Sequence, residues 1–322
     1  MSIETLAHEN IPSGETEFIN DLTARLTKKI VSDNQTGIMR RDAHPKMHGL
    51  VKADFIIEPD LPQSLRIGVF KQPGTYPAWI RFSNQDGTIR PDIGGDIRGM
   101  AIKLMGVEGE KLLEHEKTDK TQDFIMISTN VFVTKDAQEF DELIKALTGS
   151  IFAKLIFFAT HWRVVSNLYK SMKKAANPLQ IRYFSTTPYL FGATAVKYSA
   201  IPRFEVADAI PENPENDFLR SAMTRQLAQR EVHFDFAVQL QTDARSMPIE
   251  DPGHEWSEAL SPFRKVATIK IFRQSFDTEK QREFGENLSY SPWHSLPEHR
   301  PLGGINRARK VVYGAISTFR HD

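Results

Sequence analysis

With 322 residues, 40% apolar and 25% charged, the chain is long enough to bury a full core and has a globular composition. Lysine plus arginine equal aspartate plus glutamate at 41 each, so no global field directs it to nucleic acid or an anionic membrane. It has no cysteine, which excludes disulfides, thiolate-bound zinc, iron–sulfur clusters, thiolate-ligated haem and cysteine nucleophiles.

The opening segment MSIETLAHEN has no basic region followed by an apolar stretch, and Arg320, His321 and Asp322 do not form a peroxisomal address. A soluble, cytoplasmic protein is the expectation. No repeat or low-complexity segment interrupts the chain. A helix is predicted over 14–33, where Ile19, Leu22, Leu26 and Ile30 form one stripe. Strand-like β-branched and aromatic content follows around 50–57, 78–83, 99–105 and 123–133. Helical patterns come next at 136–147 and 151–174. The most apolar run, IFAKLIFFATHW at 151–162, carries Lys154 and is too short to cross a bilayer, so it reads as an amphipathic or buried helix. Proline-rich stretches at 200–214 and 248–262 read as loops. Between them lie a helix at 215–230 and the segment VHFDFAVQL. There Val232, Phe234, Phe236, Val238 and Leu240 share a face while His233, Asp235 and Gln239 point the other way. A strand at 266–273 and helices at 277–285 and 304–320 complete the chain. Strands dominate early and helices are inserted late, which is an α+β plan with a mostly antiparallel sheet able to close into a barrel.

The last helix carries the first chemical pattern. Arg309 and Tyr313 are four apart, and Ile316 and Arg320 continue the same helix face. A tyrosine hydroxyl has a pKa of about 10, so binding a metal as its anion requires help. A guanidinium one turn away supplies an opposite charge and a hydrogen bond. Tyrosine is one of the axial ligands that hold haem iron.

The second pattern lies near the start, in RRDAHPKMHG at 40–49 and AWIRFS at 78–83. His44 is an acid–base candidate, because an imidazole with a pKa of about 6.5 takes and returns a proton near neutrality. Arg41 and Arg81 are candidates for pairing with carboxylates. His48, His115, His161, His254 and His321 read as surface or satisfied core residues.

Taken in order, R-x-x-H at Arg41 and His44, RFS at 81–83, GDIRGMAIKL at 95–104 and RKVVY at 309–313 resemble the haem-binding core of catalases. PGTYPAWIRFSN, GVEGEKLL, TQDF and LPEHRPLGGINRARK make the chain most similar to the small branch of catalase-related peroxidases, over roughly residues 40 to 320. The resemblance implies one catalase-like haem-binding domain over 1–322. Residues 1–35 would be an N-terminal helical arm, 36–275 an antiparallel barrel with inserted helices, and 276–322 a wrapping segment with the proximal haem helix. It implies haem b as cofactor, Tyr313 as the iron ligand and Arg309 as its partner. His44 becomes the distal histidine, supported by Ser83. Arg41, Arg81 and Arg320 fall at the haem propionates and Phe140 against the porphyrin face.

One departure bears on the reaction. In this branch TQDF is commonly followed by an asparagine that positions the peroxide. Here the segment is TQDFIMISTNVFV, and Ser128 takes that position; Asn130 would serve only with a bulge. A shorter donor weighs against rapid dismutation of hydrogen peroxide. The chain is also shorter than a full-size catalase, which implies a wider mouth to the haem. The expected activity is therefore a haem peroxidase acting on hydrogen peroxide or an organic hydroperoxide, with an organic electron donor and possible homo-oligomers. Alternatives are rearrangement of fatty-acid hydroperoxides and haem binding without catalysis.

Overall fold

The computed structural model describes residues 5–33 and 44–321, with side chains at 5–28 and 44–315. Helix α1 (Glu15–Asp33) precedes four strands, β1 (Met47–Ile57), β2 (Thr75–Asn84), β3 (Arg98–Met105) and β4 (Thr121–Ile127). Three helices follow: α2 (Ala137–Thr148), α3 (Ile151–Thr160) and α4 (Trp162–Ser171). Strands β5 (Tyr183–Phe184), β6 (Tyr189–Phe191) and β7 (Thr194–Arg203) lead to α5 (Phe218–Gln229), then β8 (Val232–Leu240) and β9 (Arg264–Ile271). Helices α6 (Glu279–Asn287) and α7 (Gly304–His321) end the described chain.

All the strand pairings are antiparallel, in the order β5-β4-β3-β2-β1-β9-β8-β7-β6. Strand β7 also pairs back to β5, so eight strands close a barrel. Strand β6 occupies the next stretch of the same β7 edge. This is the antiparallel barrel with surrounding helices that the sequence predicts.

The two-residue period of the strands sends alternate side chains into the barrel. Val51, Ala53, Phe55 and Ile57 of β1 point inward with Ala78, Ile80 and Phe82 of β2, Met100, Ile102 and Leu104 of β3, and Phe234 and Phe236 of β8. The interior is filled, not open. Phe55, Phe124 and Phe236 contact one another with ring centroids 4.8–5.9 Å apart. Such packing leaves no room for a ligand inside the barrel.

His299, from the LPEHRP segment, plugs this core. It is fully buried, and Nε2 accepts from the Val69 N–H at 3.1 Å. Its single proton therefore sits on Nδ1, 3.2 Å from the Tyr198 hydroxyl. Burial pushes its pKa down to about 3, so it is neutral. Gly68 makes this contact possible: its φ is +52°, and a Cβ there would stand 2.2 Å from His299 Nε2.

Three local expectations are corrected. Strand β4 stops at Ile127 instead of 133, because Ser128 Oγ takes the Arg98 N–H and ends the ladder. The pattern over 151–174 is two helices joined at His161, not one, and it ends at Ser171. Thr160, at the end of α3, donates back to the Ile156 carbonyl at 2.9 Å, and His161 takes a non-helical backbone. Strand β7 runs through 200–203, inside the stretch read as loop. Residues 195–200 are buried on both faces, so no polar alternation announces it.

Candidate functional site

With the interior sealed, chemistry must lie on the outer face of the sheet. There β2 presents Trp79, Arg81 and Ser83, β3 presents Gly99, Ala101 and Lys103, and β4 presents Asp123, Ile125 and Ile127. These form three cross-strand rows: Ser83–Gly99–Ile127, Arg81–Ala101–Ile125 and Trp79–Lys103–Asp123. The segment after α6 covers the lower row. His294 Nδ1 and the Ser291 N–H bind Asp123 at 2.8 and 3.0 Å, and Lys103 pairs with the same carboxylate at 2.7 Å. His294 also meets Glu116 at 3.1 Å. Burial works against a charge on His294, but the hydrogen bonds to Asp123 and Glu116 outweigh it and hold the pKa up at about 9.

His44 lies over the upper row. Its Nδ1 is 3.0 Å from Ser83 Oγ. Its backbone has φ +63°, a region that a non-glycine residue enters at a cost of about 1 kcal/mol or more. Two further bonds hold it there: its N–H donates to the Gln85 carbonyl at 3.3 Å, and its carbonyl accepts from Arg81 Nη2 at 2.9 Å. Gly99 gives the ring its room. A Cβ at that position would stand 2.6 Å from His44 Cε1 and Nδ1 and 2.9 Å from Ser83 Oγ. Sequence reasoning did not single out Gly99, although the RGM of GDIRGMAIKL contains it.

A second set of residues behind His44 also escaped the sequence. Lys46, 5% exposed, binds Asp92 at 2.8 Å and Asp217 at 2.7 Å. Asn84 Nδ2 donates to Asp92 Oδ1 at 3.2 Å. Asn84 Oδ1 accepts from both Arg98 Nη1 and His48 Nε2. Burial pushes His48 down to about 4 despite the neighbouring Asp92. His48 is thus a neutral core residue, and this polar plug fixes the chain on both sides of His44 and Gly99.

The other candidate residues fall as follows. Arg81 is buried, and its Nη2 also lies 3.3 Å from Glu286 Oε1 on α6, so a carboxylate already meets its guanidinium. Ser128 Oγ accepts the Arg98 N–H at 2.9 Å, one residue before Gly99. Asn130 turns elsewhere and donates to Glu255 at 2.6 Å. Phe140, on α2, packs 5.7 Å from Phe132, and both lie against a cluster of Ile19, Ala137, Ile305 and Ala308, the last two on α7. Phe132 is a further member that the sequence did not reveal. Arg309 stands over it at 5.7 Å and reaches Thr187 Oγ1 at 3.4 Å. Tyr313 is half-buried one turn later, close enough with Arg309 to influence buried Tyr189, whose hydroxyl burial pushes up to about 12. Arg41 and the Arg320 side chain lie outside the described residues.

Helix α7 is firmly anchored at its start. Arg307 binds Glu9 at 2.6 Å, Glu15 at 2.6 Å and Glu250 at 3.0 Å, and the Gly304 N–H donates to Glu250 at 2.8 Å. The structure therefore brings His44, Ser83, Gly99 and Ser128 together on one shelf. Phe132, Phe140, Arg309 and Tyr313 group around α7, and residues 128–132 join the two groups.

No protein-family model matches the chain, and neither does any curated protein sequence. Solved structures do. A fungal catalase superposes with a TM-score of 0.72 at 16% identity, over 99% of this chain and 66% of that one. Catalase A from Saccharomyces cerevisiae gives 0.70 at 16%, over 99% and 68%. A bacterial catalase gives 0.64 at 16%, over 92% and 60%. The chain thus spans about two thirds of the length of these catalases, and it has the catalase fold.

Proposed function

We propose that this chain is a haem-dependent enzyme acting on hydroperoxides, with Tyr313 as iron ligand and His44 as proton carrier. The observation that carries the reading is His44 itself, a strained residue held by three hydrogen bonds with its ring set against Ser83. Strain kept in place by surrounding bonds is a mark of functional sites. Two features of the donor set support haem. Tyr313 follows the Arg309 guanidinium by one turn, and Arg81 already binds a carboxylate, as it would a propionate. Arg41, Arg320 and Phe140 are the further proposed contacts, and haem b is the proposed form.

Ferric haem, when bound, supplies the centre at which a peroxide O–O bond is polarised and broken. The protein's share is proton movement. With Nδ1–H given to Ser83 Oγ, His44 Nε2 takes the hydroperoxide proton and returns it to the departing oxygen. Ser83 stabilises the imidazolium meanwhile and fixes the ring plane.

A second reading within this class rests on Ser128 and Asn130. Ser128 sets a hydroxyl, not an amide, beside Gly99, and the Asn130 amide is turned to Glu255, so neither puts a side-chain amide beside His44 to orient a small peroxide. That supports a bulky organic hydroperoxide as substrate, and rearrangement of a fatty-acid hydroperoxide without any reductant. Loss of the conjugated diene with no electron donor would select rearrangement, and a strict donor requirement would select peroxidase action.

The deciding measurement is the visible spectrum of the haem-loaded protein beside Tyr313→Phe. A high-spin ferric Soret band that shifts or disappears in the variant is the expected outcome. No haem uptake by the unaltered chain would sink the reading.

A further inference from the structure

Helices α3 and α4 wear their apolar residues on the outside. In α3, Ile151, Phe152, Leu155 and Ile156 are 61–73% exposed, while Phe157 is buried. In α4, Trp162 is 76% and Tyr169 85% exposed. The inward face of α4 is by contrast partly polar: Asn167 donates to the Phe132 carbonyl at 3.3 Å, and Ser171 to Thr129 Oγ1 at 3.0 Å. A helix bathed in water has the reverse arrangement. An apolar patch of this size marks an interaction surface.

Charge identifies the partner. Between residues 151 and 174 stand Lys154, Lys170, Lys173 and Lys174, besides Arg163, which is paired with Asp251, and there is no aspartate or glutamate, in a chain whose net charge is zero. Lys170, Lys173 and Lys174 are exposed beside the aromatic residues. A second copy of this chain is a poor occupant, because a two-fold contact would set the basic stripe against itself. Nucleic acid has little use for a broad aliphatic patch. Each helix has ten residues, about 15 Å, half the thickness of a bilayer core, and no described helix is long and apolar enough to cross a membrane.

We propose that the α3–α4 face docks on an anionic lipid surface, with both helices lying in the interface. Phe152, Ile156, Trp162 and Tyr169 enter the boundary between headgroups and acyl chains, and Lys170, Lys173 and Lys174 meet the lipid phosphates and carboxylates. The docking rests on this surface alone. Its consequence for substrate rests on the proposed function: α4 holds Thr129 and Phe132, the segment joining the His44 shelf to the α7 group, so an acyl hydroperoxide would reach the site from the bilayer.

The full-length chain, with or without haem, is to be floated with phosphatidylcholine vesicles and with vesicles containing roughly one-third phosphatidylserine. Binding to the anionic vesicles, weakened by salt and accompanied by a blue shift of tryptophan emission, is expected. The double variant Phe152→Glu/Ile156→Glu and the triple variant Lys170→Glu/Lys173→Glu/Lys174→Glu should each lower the partition coefficient at least about tenfold, with unchanged circular dichroism. Failure to float, or partition of either variant equal to that of the parent chain, would overturn the proposal. A concentration-dependent dimer in sedimentation equilibrium, abolished by the double variant, would overturn it in favour of a second copy. None of these readouts depends on activity, so failure here leaves the haem reading untouched.

Discussion

The two faces of strands β2 to β4 are built on different principles. Inward, Ile80, Phe82, Ile102 and Phe124 fill space and make no hydrogen bonds through their side chains. Outward, the next residues along the same strands are Arg81, Ser83, Lys103 and Asp123, each engaged by a specific polar partner. Two histidines five residues apart mark the contrast. His299 enters the barrel interior and is pushed down to about 3, whereas His294 stays outside with Asp123 and Glu116 and is held up at about 9. A barrel wall one residue thick thus separates the part that makes the fold stable from the part that can do chemistry. Variants on the two faces should fail in different ways.

The largest separation is expected from His44→Ala. Loss of a positioned acid–base group lowers turnover about 10²- to 10⁴-fold, while haem uptake and thermal stability stay near those of the parent. A variant that keeps full turnover with hydroperoxide would remove His44 from the chemistry. Phe236→Ala tests the opposite face. It deletes a ring packed against Phe55, Phe124 and Tyr198 and should destabilise the protein by about 3–5 kcal/mol in urea unfolding. Activity per folded, haem-loaded molecule should not change. If it does, the wall between the faces is not the barrier described.

The pH dependence of stability sharpens the comparison next. His299 has a folded pKa of about 3, below its unfolded value near 6.5. Its contribution is complete above pH 6.5 and is lost as acid protonates the unfolded chain between about 6.5 and 3. His294 runs the other way. Its folded pKa of about 9 makes its contribution complete below pH 6.5 and lost as the pH rises through 9. At about 1.36 kcal/mol per pKa unit, His299 is worth on the order of 5 kcal/mol and His294 on the order of 3, so stability should peak near pH 6 to 7. In His294→Gln the alkaline limb should flatten while the acid limb stays. An unaltered alkaline limb would mean that Asp123 and Glu116 do not hold His294 charged.

How much of this was legible in the sequence follows the same division. Period-two alternation revealed β8, whose two faces differ, and β-branched and aromatic content revealed β1 to β4 and β9. Alternation failed on β7, where Lys197 and Ser199 are as buried as Val196 and Tyr198. It failed on β5 and β6, of two and three residues, because no period can register in so short a run. The helices at 137–148, 218–229 and 279–287 matched expectation to within three residues. The break at His161 passed unseen because neither glycine nor proline marks it. At the candidate site, motifs in register pointed to His44 and Ser83, whose side chains the fold brings within 3.0 Å of each other. Gly99, Asn84 and Arg98 were not singled out, since their roles arise from how closely three strands approach and not from their residue types.

The smallest expected effect is also the most discriminating one on the outer face. Ser83→Ala removes one hydrogen bond, worth about 1 kcal/mol, and leaves Gly99 and the backbone bonds of His44 in place. If Ser83 merely filled space, stability would drop slightly and turnover would not change. If it positions the imidazole, turnover should fall about fivefold to tenfold. The pH profile should move as well, because the imidazolium would lose the oxygen that accepts its Nδ1–H. Ser83→Thr, which restores the hydroxyl, should recover most of the profile. Unchanged profiles in both variants would assign the 3.0 Å contact to packing alone. The strain at His44 would then need an explanation other than catalysis.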